Sequence, residues 1–127
     1  MKKLVVRTDR APRAIGPYEQ AVRIDNLLFT SGQIPLDPED NTILKGDICM
    51  EARRVFENLK GVLEAAGSSL DKVLKVTIYL RDLKNFEEMN RIYEEYFGKS
   101  KPARSCVEVS SLPKEASIEA DLIAYIE

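Results

Sequence analysis

Histidine and tryptophan are both absent from this chain of 127 residues. Without histidine, Ser-His-Asp and Cys-His nucleophile–base pairs and the common zinc ligand sets drop out together. Any chemistry falls to Arg, Lys, Glu, Asp, Tyr, Ser, Cys and backbone groups. Cysteine is scarce: Cys49 and Cys106 are the only two, and they read as free thiols rather than a bridge. Long apolar runs are missing too. Leu4, Val5 and Val6 ahead of Arg7 make far too short a stretch for a signal peptide or a membrane span, so the chain reads as cytoplasmic. An excess of one charge is also lacking. The 19 basic residues are scattered among 21 acidic ones for a net charge of −2, which leaves no basic stripe for a phosphate backbone and makes nucleic acid a poor partner.

What is present suffices for one globular domain spanning 1–127, since 44% of residues are hydrophobic and Gly and Pro fall singly between periodic segments. From Ile48, apolar residues recur at Ala52, Val55, Leu59, Val62 and Ala66, with Gly67 placed to end an amphipathic helix. A second helix is expected from Asn85, capped with Glu88 three residues on, burying Phe86, Met89, Tyr93, Tyr96 and Phe97 before Gly98. Gln20–Ile24 and Leu27–Ser31 flank Asp25-Asn26 as a hairpin. Period-two alternation marks three more strands. In one, Leu74, Val76, Ile78 and Leu80 oppose Lys75, Thr77 and Tyr79. In the next, Ser105, Val107 and Val109 oppose Arg104, Cys106 and Glu108. In the last, Ile118, Ala120, Leu122, Ala124 and Ile126 oppose Glu119, Asp121, Ile123 and Tyr125.

The fold class is therefore α+β: a single mixed sheet of about six strands with two helices on one face. Val73, Tyr79, Cys106, Ile123 and Tyr125 are expected on the other face, too apolar a set to stay wet, so a further subunit is expected to cover it.

Arg104 and Glu119 are both expected on that uncovered face. Arginine offers a planar fork for a carboxylate that lysine cannot reproduce; a glutamate beside it can orient water and carry its proton. Tyr18 follows a turn at Ile15-Gly16-Pro17, and Gly32 after Ser31 permits close backbone approach. Ser31 without histidine is a ligand-binding hydroxyl rather than a nucleophile. Cys106 reads as a small buried hydrophobe, and Asn90, on the apolar side of the second helix, as an amide that needs a partner.

On these residues the chain resembles the reactive-intermediate deaminases, the RidA or YjgF-like family. The resemblance runs through Ala14-Ile15-Gly16-Pro17-Tyr18, Ser31-Gly32-Gln33-Ile34-Pro35, Glu57-Asn58-Leu59-Lys60 with Glu64-Ala65-Ala66-Gly67, Pro102 to Val109, and Leu112-Pro113-Lys114 leading to Ile118-Glu119. It implies a chorismate-mutase-like fold and a homotrimer with active sites between subunits. It further implies hydrolysis of 2-aminoacrylate, 2-aminocrotonate and their imine tautomers to 2-keto acids and ammonia, with no metal or organic cofactor. These substrates are released by pyridoxal-phosphate-dependent dehydratases. The roles implied are Arg104 on the substrate carboxylate, Glu119 on the attacking water, and Tyr18, Ser31, Gly32, Cys106 and Asn90 around the pocket. The competing reading is a non-catalytic trimer that binds 2-keto acids or similar carboxylates.

Overall fold

A computed structural model describes residues 1–127. The elements run β1 (Leu4–Val6), β2 (Ala21–Ile24), β3 (Leu27–Thr30), α1 (Ile48–Ala65), β4 (Val73–Leu80), α2 (Phe86–Phe97), β5 (Ala103–Glu108) and β6 (Ile118–Tyr125), joined in places by short 3₁₀ turns. Asp25 takes a left-handed conformation (φ 49°), which closes a two-residue turn and pairs Ile24 with Leu27. The six strands form one sheet in the order β1-β2-β3-β6-β4-β5. All pairings are antiparallel except β4 with β5, which α2 connects as a parallel crossover.

The longer helix has clear ends. Asp47 accepts a hydrogen bond from the Met50 amide, an N-cap that supplies one of the four donors a helix start leaves unpaired. At the far end Gly67 turns left-handed (φ 83°), with Gly67 N bonded to Glu64 O and Ser68 N to Leu63 O; this Schellman geometry favours glycine. Between them Ala52, Val55, Phe56, Leu59, Val62 and Leu63 are fully buried, each large side chain contributing about 1.5–3 kcal/mol of transfer free energy. They meet Met89, Tyr93 and Phe97 of α2 and, from the sheet, Leu28, Val76, Ile78, Leu80, Ile118, Ala120 and Leu122. One mixed sheet with both helices on one face is the expected architecture.

Three local expectations are corrected. Asn85 makes no capping bond and ends a 3₁₀ turn, Leu83–Asn85, whose start is capped instead by Asp82. A bulge between Val73 and Lys75 leaves Leu74 exposed and sends Val73 into the core, because one extra residue shifts the alternation by one. The side assigned to β5 is inverted. Arg104, Cys106 and Glu108 lie opposite Val76, Ile78 and Leu80, and directly paired residues share a face, so these three point toward the helices. The valines of β5 misled because it is an edge strand exposed along nearly its whole length; an apolar row there does not report the core.

The opposite face carries no helix. Tyr79, Glu119, Asp121, Ile123 and Tyr125 sit on it beside Leu27, Phe29 and Val107, which stay 40%, 38% and 44% exposed. No helix of the chain is long and apolar enough to cross a membrane.

Candidate active site

Glu119 projects from β6 on the open face, opposite Tyr79 of β4. The next residue along the strand, Ala120, is tied to Gln33 by a two-way bridge: Gln33 N donates to Ala120 O and Ala120 N to Gln33 O, at 2.8 and 3.1 Å. That bridge holds Gly32 against the Glu119 carboxyl. A β-carbon on Gly32 would lie 2.9 Å from Glu119 Cδ and closer still to Oε2, so the close approach inferred for Gly32 has a specific beneficiary. Burial, and secondarily the charge of Asp121, push the Glu119 carboxyl above the ordinary carboxylate range. Burial raises Asp121 as well, offset by a hydrogen bond from the Tyr79 hydroxyl.

A cavity of about 660 Å³ opens beside Glu119, lined among others by Tyr18, Ser31, Gly32, Arg13 and Lys114. The turn before Tyr18 has Gly16 at φ 123° and a bond from Tyr18 N to Gly16 O, and the Tyr18 hydroxyl folds back to accept from Ile15 N. The Ser31 hydroxyl donates to Glu19 O, leaving its lone pairs for a ligand. Lys114, in the Leu112-Pro113-Lys114 segment, was not expected at the site, yet it lines this cavity. Lys114 and Glu115 both take left-handed conformations (φ 55° and 57°), sparsely populated for such residues. Lys45 Nζ donates to both of their carbonyls. Pro113, just ahead, is the only sequence sign of this turn.

Arg104 sits elsewhere. Its Nη1 donates to Asn90 Oδ1 at 2.6 Å, and its guanidinium stands 5.4 Å from the Phe86 ring centroid and 4.6 Å from that of Tyr93. The partner required for the Asn90 amide is thus Arg104 itself. A second cavity, also about 660 Å³, runs along this edge between α2 and β5 and shares no residue with the Glu119 cavity. Cys106, two residues on and on the same side, is a half-buried free thiol. Burial raises its pKa, with Arg104 opposing, which disfavours the thiolate. Tyr18, Ser31, Gly32 and Glu119 therefore come together, and so do Arg104 and Asn90, but the two groups lie on opposite faces of the sheet.

The family described as Endoribonuclease L-PSP matches residues 8–126. The RutC family protein of Pyrococcus abyssi is 56% identical over the full length of both chains. The chain belongs to the RidA/YjgF family. Among solved structures, RidA from an Antarctic Psychrobacter is 40% identical with a TM-score of 0.92, covering 97% of this chain and 99% of that one. TdcF of E. coli, solved with bound serine, is 39% identical with a TM-score of 0.91 over 98% and 99%.

Proposed function

We propose that this RidA-family protein hydrolyses 2-enamino and 2-imino acids to 2-keto acids and ammonia, in sites shared between copies of the chain. The observation that carries the reading is the half-buried Glu119, its carboxyl pushed upward and seated over Gly32 in a cavity large enough for a small acid. A base works best when its pKa approaches the working pH, and burial moves Glu119 in that direction.

The reaction asks little beyond placement. Protonation of the enamine at its β-carbon gives an iminium. Water adds to C2 while Glu119 takes its proton and passes it to the nitrogen; as the C–N bond breaks, the adduct's hydroxyl gives up its remaining proton, which replaces the one spent on the β-carbon, and ammonia leaves behind a 2-keto acid. Arg104 grips the carboxylate throughout, so that addition occurs within a bound complex. Because Arg104 and Glu119 face opposite sides of one sheet, both can serve one substrate only if the edge groove of one copy meets the open face of the next. The exposed Leu27, Phe29 and Val107 on that face favour such an assembly, a homotrimer in the family's pattern. TdcF with bound serine supports a site for small amino-acid carboxylates in this fold. The substrates are those that pyridoxal-phosphate-dependent dehydratases release.

A binding protein for 2-keto acids would need Arg104 but not Glu119. The deciding experiment couples threonine dehydratase, as a source of 2-aminocrotonate, to keto-acid formation with and without this protein. Acceleration lost in both Arg104→Ala and Glu119→Gln supports the deaminase. No acceleration by the wild type, with 2-oxobutanoate still bound, supports the binding protein.

A further inference from the structure

Phe86, Asn90 and Tyr93 are spaced i, i+4 and i+7 along α2 and form one stripe. Arg104 is laid along that stripe, bonded to Asn90 at 2.6 Å and within 5.4 and 4.6 Å of the two ring centroids. The Tyr93 ring is itself immobilised: it is only 7% exposed, 4.7 Å from the Phe97 ring and 5.9 Å from that of Phe56, the latter nearly edge-on at 75°.

We infer that Tyr93 is a positioning residue for Arg104, a fixed aromatic seat that sets the guanidinium before any ligand arrives. The inference rests on the reading of Arg104 as the carboxylate grip. An arginine on an exposed edge strand would otherwise lose rotamer freedom on gripping a ligand; one already seated against rings has lost it on folding. With Nη1 held by Asn90, the Nε and Nη2 donors remain, a side-by-side pair suited to bidentate binding of a carboxylate. The seat is the ring, not the hydroxyl. Tyr93 Oη is buried without a hydrogen-bond partner, so Tyr93→Phe removes an unpaired polar atom and keeps the surface against which the cation rests.

The test has two arms. In the first, the Nε–Hε resonance of Arg104, assigned by its disappearance in Arg104→Lys, is followed by NMR without ligand. It is expected to be displaced by ring currents in the wild type and in Tyr93→Phe, and to lose most of that displacement in Tyr93→Leu, where only the more distant Phe86 ring remains. In the second, 2-oxobutanoate binding is expected to weaken about five- to thirty-fold in Tyr93→Leu and to survive in Tyr93→Phe. Tyr93→Met, which fills the space without a ring, replaces Tyr93→Leu if that variant does not fold. An Arg104 resonance unmoved by loss of the ring, or equal losses in the Phe and Leu variants, overturns the inference. Binding of 2-oxobutanoate indifferent to Arg104→Lys overturns the underlying reading of Arg104 and leaves the resonance arm standing.

Discussion

Gly32 and Glu119 occupy one another's space: the backbone of Gly32 runs where any β-carbon would press on the Glu119 carboxyl, 2.9 Å from Cδ. The atom that must yield is the end of a flexible side chain, so Gly32→Ala is expected to fold and to displace Glu119. A misplaced base costs far more in rate than in stability; a shift of about 1 Å can cost roughly 10²-fold. Deamination should fall by about that factor while the melting temperature barely changes. Equal activity in wild type and Gly32→Ala would remove Glu119 from the mechanism.

Glu119 also gives stability a pH dependence. Burial raises its pKa above the ordinary value of 4.5, so the folded state holds this proton more tightly than the unfolded state does. The corresponding stabilisation is complete below the ordinary carboxylate range and is lost as pH rises through the raised value. Glu19, lowered by its hydrogen bond from Arg7, works in the opposite sense, so wild type must be compared with Glu119→Gln. Urea unfolding from about pH 4 to about pH 7 should show wild type losing stability relative to that variant as pH rises. A constant difference between the two would contradict the shift.

Gly61 reverses an ordinary expectation. In the middle of α1, Gly→Ala normally stabilises by about 0.5–1 kcal/mol through helix propensity. Here the new β-carbon would stand 2.7 Å from the Arg10 carbonyl oxygen, a backbone atom that cannot swing aside. Overpacking of this kind costs about 1–3 kcal/mol, so Gly61→Ala should be net destabilising by chemical denaturation. A stabilised variant would mean that the segment before Pro12 moves freely off the helix.

These sites also mark what could be read from sequence and what could not. The body and glycine end of α1, the hairpin turn at Asp25, the alternation of β6 and the partner-seeking Asn90 were legible because each is a local pattern with a local cause. β1 was not, being three residues at a sheet edge. The separation of Arg104 from Glu119 was also hidden. Alternation divides a strand into two sides without saying which is inner, and on β5 the valines argued for the wrong one. Only the parallel register of Val76 with Arg104 settles it. The seat beneath Arg104 was half legible, since Phe86 and Tyr93 were expected to be buried but nothing local tied them to a residue on another strand.

Phe56 links core and site. It is fully buried and packs its ring 5.9, 5.5 and 5.6 Å from those of Tyr93, Tyr96 and Phe97. Phe56→Ala should cost about 3–5 kcal/mol through lost transfer energy and the cavity left behind, measured by urea unfolding. Phe56→Leu, with less volume lost, should cost less.

If catalysis requires two copies, a charge on the open face should abolish it without touching a site residue. Phe29 is the natural place: it lies on β3 opposite Ile123, is 38% exposed, and lines neither the Glu119 cavity nor the Arg104 groove. An aspartate there stays hydrated in a lone protomer, so the fold should survive, whereas burying it against another subunit would strand an unpaired carboxylate at a cost of several kcal/mol. Light scattering should show Phe29→Asp as a folded monomer, and the coupled assay should show it inactive although Arg104 and Glu119 are both intact. A monomer that still deaminates would mean that one chain brings the two residues to a single substrate, which their placement on opposite faces forbids without a rearrangement of the sheet.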